Sequence, residues 1–177
     1  MKKMYYESDE VTELDRQDEQ RIAEKRKMSP EEKEKTIGLI TRDGVEKAKI
    51  MIAASGEDFS RCPTAIQLCM GALIFGMLSA MSIYELGYGE WGWVKFEMAV
   101  IAGSLLDAGP EGGTEMAEYL FENSTRKQNP DVNENIHLLI HYGIDLYFFF
   151  DQPERLTKYV QQILRSCYED FCPEQMN

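Results

Sequence analysis

An all-α fold is expected: one domain of six to eight helices packed around a buried apolar helix at about residues 64–86. Three observations predict it. The run from Thr64 to Tyr84, TAIQLCMGALIFGMLSAMSIY, contains no charge, in a chain whose formal net charge is −12. The segments around it carry apolar residues at intervals of three and four, the period of one helix face. No run demands a strand.

The first 28 residues are dominated by charge, an acidic block from Glu7 to Glu19 followed by a basic one from Arg21 to Lys27. Val11, Leu14 and Ile22 are their only aliphatic residues beyond Ala23, too few to bury a helix face. Residues 1–28 therefore read as a solvated outer helix or arm, and 29–177 as the globular domain. Ser29-Pro30-Glu31-Glu32 opens the next helix, because Ser caps, Pro suits the first turn and Glu32 completes a capping box. Its stripe is Ile37, Ile40, Val45, Ala48, Met51 and Ile52; Asp43-Gly44 is expected to bend or divide it, and Ser55-Gly56 to close it.

Pro63 and Gly87 bracket the uncharged run in the order expected around a helix. Apolar residues occupy all its sides, which marks full burial. The run is long enough to cross a bilayer, with Tyr84, Tyr88, Trp91 and Trp93 placed like an interfacial belt. Against that, Gln67, Ser79 and Ser82 dilute it, Arg61 is the only flanking base, and neighbouring amphipathic segments need a surface to cover. Burial in protein is the expectation.

Beyond the glycine-rich turn, Trp93, Phe96, Val100, Ile101, Ser104 and Leu105 predict a helix over 93–107 that ends before Ala108-Gly109-Pro110. A short helix from Thr114 to Glu122 and a polar loop from Asn123 to Pro130 follow. Asp131 with Glu134 reads as a capping box for a helix through Phe150, and Asp151 with Glu154 opens the last, 153–171.

Thirty-one acids against nineteen bases disfavour nucleic acid and anionic lipid as partners, since both bind through Lys and Arg, and favour a basic protein. The acidity is concentrated in the middle of the chain: Glu85 to Glu122 holds eight acids and one base, Lys95. The N-terminal segment lacks the apolar core of a secretory signal, and the four cysteines form neither a C-x-x-C pair nor a dense framework. A cytoplasmic protein with reduced thiols is expected.

Three constellations could carry chemistry. His137, His141 and Asp145, preceded by Glu134, share one helix face, and imidazoles at i and i+4 can ligate one divalent transition metal ion. The spacing is common, position 138 is Leu where a metalloprotease needs Glu, and a solvated face with an ordinary His141–Asp145 pair is the simpler reading. Further ligands would have to come from Glu97, Glu115, Glu118 or Glu122. Gly87-Tyr88-Gly89-Glu90-Trp91-Gly92 spells G-x-G-x-x-G, but without a preceding strand, and with Glu90 to repel phosphate, it reads as a helix-to-helix turn. Tyr88, Trp91 and Trp93 close the core there or anchor a partner. Glu111, Glu115, Glu118 and Glu122 recur at four, three and four, with those from Glu115 onward on one helix face. Such a row is either a solvated surface or a ridge complementary to a basic partner.

No nucleophile, phosphate loop or catalytic triad signature accompanies these features. The leading expectation is a non-catalytic, cofactor-free binding protein that recognises a basic protein through the glutamates and Tyr88/Trp91, in the manner of an inhibitor, immunity or anti-defence protein. The alternative is a metal-dependent helical hydrolase using His137, His141 and Asp145.

Overall fold

The computed structural model describes residues 8–125 and 131–175, with side chains from Gln17 onward. Among them are seven α-helices and no strand: α1 Ser8–Lys25, α2 Pro30–Ser55, α3 Thr64–Leu86, α4 Trp91–Leu105, α5 Gly109–Ser124, α6 Glu134–Leu146 and α7 Pro153–Phe171. Two short 3-10 turns, Tyr147–Phe149 and Pro173–Gln175, follow α6 and α7.

The uncharged run is the hub. Helix α3 packs against every other α-helix, and its residues from Cys69 to Ser82 are buried without interruption. It is the one described helix long and apolar enough to cross a bilayer, yet most of that length is enclosed by protein. Gln67, Ser79 and Ser82, the polar residues that dilute it, each have a use. Gln67 Nε2 donates to the Phe59 carbonyl at 2.8 Å, and the Ser79 hydroxyl donates to Phe75 O at 2.7 Å. Ser82 Oγ donates to Tyr88 O and accepts from Glu90 N–H, which folds the Gly87–Glu90 segment into a turn between two helices.

Helix α2 starts as its sequence predicts: Glu32 N–H donates to Ser29 Oγ at 3.2 Å, Ser29 N–H donates to Glu32 at 2.8 Å, and Pro30 occupies the first turn. Asp43-Gly44 does not break it. Gly44 is buried where Leu78 and Trp93 press on the helix, and Trp93 Nε1 donates to Thr41 Oγ1 at 2.9 Å, so tertiary contact supports the helix through the weak residue.

Other boundaries differ from expectation: α4 runs Trp91–Leu105 where 93–107 was expected, and α6 ends at Leu146, with the 3-10 turn carrying the chain on to Phe149. Helix α5 begins at Gly109, since Gly109 (φ 70°) turns the chain and Pro110 suits a first turn. Helix α6 is capped by Asn133, not Asp131: its side chain accepts from the N–H groups of Asn135 and Ile136 at 3.1 and 3.3 Å, while its own N–H donates to Asn123 Oδ1. Helix α7 is not capped by Asp151; Gln152 precedes it without a side-chain cap, and Pro153 starts it.

Two helix pairs lie backbone to backbone. Gly76 of α3 meets Ile140, Gly143 and Ile144 of α6, and Gly113 of α5 meets Ala99 and Gly103 of α4. Both crossings lack a Cβ at the contact.

Candidate functional site

Starting α5 at Gly109 changes the geometry of the glutamates. Glu111 lies inside the helix, and positions 111, 115, 118 and 122 then span an arc of about 60° at 100° per residue. All four are exposed, while Gly113, Ala117 and Leu120 are buried on the opposite side. Glu111 also sits in the first turn, where the helix dipole favours a carboxylate.

One of the four is neutralised. Lys95 of α4 donates to both oxygens of Glu118 at 3.0 and 3.3 Å, and its ammonium lies 4.9 Å from the Phe121 ring centre. Glu111, Glu115 and Glu122 have no ion pair among the described residues. Trp91, 38% exposed, also packs against Phe121, with ring centres 6.1 Å apart. The structure therefore joins Trp91 to the glutamate row. Tyr88 goes elsewhere: Lys33 of α2 sits 4.5 Å over its ring and pairs with Glu90 at 3.1 Å. Sequence reasoning missed Lys95 and Phe121 as the link. The lone base in the acidic segment was the available signal, but its partner lies on a different helix.

The histidine face is also defined. The Asn123 carbonyl, at the end of α5, lies 3.0 Å from His137 Nδ1, so that nitrogen carries the proton and Nε2 is left as an acceptor. His141 Nε2–H then donates to His137 Nε2 at 3.2 Å. Partial burial together with the neighbouring His137 holds His141 below the ordinary histidine range. Asp145 does not pair with His141. It is half-buried, and desolvation raises its carboxyl to about 6.

Two of the three proposed metal ligands thus meet and the third does not join them. Among the described residues no three His, Cys, Asp or Glu side chains converge where one ion could bind. Glu97 lies in the core on α4, and the α5 glutamates face outward. All four cysteines are free thiols, with Cys69 and Cys167 buried.

Asp145 makes a pH prediction. Its folded-state value lies above its ordinary 3.8, so the folded state holds the proton more tightly than the unfolded chain does. Its contribution to stability is therefore lost as pH rises from 3.8 to about 6 and is constant above. Urea midpoints of Asp145→Asn and wild type should diverge across that window, the variant gaining relative stability by pH 7. A difference independent of pH would refute the assignment.

Helices packed around one apolar hub, with an acidic face and an aromatic at its edge, place this chain in the class of acidic all-α proteins. No protein-family model matches it, and no characterised protein or solved structure is detectably similar.

Proposed function

We propose that this is a non-catalytic cytoplasmic protein that binds a basic protein partner through the α5 glutamates, as an inhibitor, immunity or anti-defence protein does. The supporting observation is the shared face of Glu111, Glu115, Glu118 and Glu122, three of them without a counter-charge among the described residues, bordered by Trp91. Uncompensated surface carboxylates cost little in water and steer a cationic partner into register. A partly exposed Trp packed on Phe121 supplies a rigid apolar anchor next to them. Nucleic acid is not an expected ligand of this face.

The test is binding to a panel of purified basic proteins by surface plasmon resonance. Changing Glu115, Glu118 and Glu122 together to Gln should weaken binding about tenfold or more, mainly through slower association. Equal association and affinity in the triple variant would remove this face as the binding surface. The metal-dependent reading lacks a third donor among the described residues and is not carried forward.

A further inference from the structure

His137 and His141 are the only two histidines in the chain, and the fold sets their Nε2 atoms 3.2 Å apart. That is a hydrogen-bond length, and it is also the separation of two ligands on one ion. With metal–nitrogen bonds of about 2.0 to 2.1 Å, meeting between a right angle and the tetrahedral angle, two imidazole nitrogens stand about 2.9 to 3.4 Å apart. The i, i+4 spacing on α6 puts both rings on one side of the helix, with ring centres 4.7 Å apart.

The surroundings orient the pair for that use. The Asn123 carbonyl takes the Nδ1–H of His137 at 3.0 Å, which fixes the tautomer of that ring and leaves its Nε2 lone pair for a ligand. A backbone carbonyl on the far nitrogen is how a metal-binding histidine is ordinarily held, and it raises the basicity of the ligating nitrogen. Asn123 is itself fixed: it is buried, its side chain donates to the Tyr119 carbonyl at 2.8 Å, and it accepts from Asn133 N–H at 2.7 Å. His137 is half-buried and His141 exposed, so an ion between them keeps open positions for water. Glu134 and Asp145 lie about one turn to either side on the same helix, where a carboxylate favours a dication.

We propose that His137 and His141 form an open two-imidazole chelate for a late first-row divalent ion, Ni2+, Cu2+ or Zn2+, with water completing the coordination. On binding, the hydrogen bond between the rings gives way to two metal–nitrogen bonds. The Nε2 proton of His141 moves to its Nδ1 through solvent, so the ring keeps one proton and none is released. Rotation of the exposed His141 ring turns both lone pairs to a common point. The ion's oxidation state does not change. Two protein donors make a binding site and not the hydrolytic centre set aside above. The site is also independent of the glutamate face, which binds through charge on a different helix.

The probe is Ni2+, titrated calorimetrically into the untagged full chain in a buffer that does not bind metal. One ion should bind per chain, and His137→Ala and His141→Gln should each weaken binding at least about tenfold, because a chelate needs both nitrogens. Mg2+ and Ca2+ should bind at least about tenfold more weakly than Ni2+, since hard cations prefer oxygen donors. No Ni2+ binding, full binding in His141→Gln, or Mg2+ binding as tight as Ni2+ would each overturn the proposal; the last would mean that ions collect on surface carboxylates. Wild type alone gives a second reading that no variant's folding can confuse. Electron paramagnetic resonance of the chain with one equivalent of Cu2+ should show splitting from two imidazole nitrogens, and splitting from one nitrogen or none would overturn the proposal too. Failure here with success of the α5 test would leave the glutamate face intact.

Discussion

Alanine at Gly76 or Gly143 is expected to destabilise the protein by roughly 3 kcal/mol or more. At Gly76 the added methyl would fall on the carbonyl oxygen of Ile140 and lie 2.9 Å from Gly143 Cα; at Gly143 it would fall on the carbonyl oxygen of Leu73. The obstacles are backbone atoms inside helices, so no side-chain rotation relieves the clash, and α3 and α6 would have to separate. Alanine's better helix propensity, about 1 kcal/mol over glycine, offsets only part of that cost. Gly38 and Gly92 are controls, because nothing lies within 4 Å of a Cβ at either. Urea denaturation monitored by circular dichroism should show a large loss at 76 and 143 and neutrality or a gain at 38 and 92. Wild-type stability at Gly143→Ala would mean that the two helices are not in backbone contact.

The opposite sign is expected at Glu97. This residue is 2% exposed, its Oε2 is sealed from solvent, and that oxygen has no hydrogen-bond partner. Burial alone raises its carboxyl above the ordinary carboxylate range. Methionine has nearly the same length and needs no partner, so Glu97→Met should stabilise the fold by about 2 kcal/mol at neutral pH. The folded state binds the proton more strongly than the unfolded chain, and the wild-type cost therefore grows as pH rises above the ordinary value of 4.5. The gain from Met should accordingly be larger at pH 8 than at pH 4.5. Gln is the informative contrast: it removes the titration but leaves an unsatisfied amide, so it should flatten the pH dependence without the full gain in stability. A Met variant less stable than wild type would show that the carboxyl is used by the fold.

The hub was legible because its signal is local and redundant. Twenty-odd residues without a charge cannot face water, and the stripes on the flanking helices needed something to cover. Ser29 and Glu32 were legible for a related reason: a capping box is contained within four residues. Asp131 was misread because Asp and Asn cap equally well, and the choice fell to Asn133, whose N–H is tied to Asn123 across the α5–α6 connection. The candidate site was half legible. The spacing placed Glu115, Glu118 and Glu122 on one face, but the neutralisation of Glu118 by Lys95, the link through Phe121 to Trp91 and the diversion of Tyr88 toward Lys33 are all contacts between helices.

By itself the sequence determined a helical chain, the helix that is buried and the position of its acidic charge, because periodicity, hydrophobicity and capping act over one or two turns. Tertiary structure decided which glycines are contact points, which carboxyl is stranded in the core and which carbonyl fixes the tautomer of His137. Those outcomes depend on where helices cross, and a crossing brings together residues such as Arg21 and Glu85 that lie far apart along the chain. The uncharged run therefore accounts for the core, while what the molecule can bind was set by the faces that packing left open.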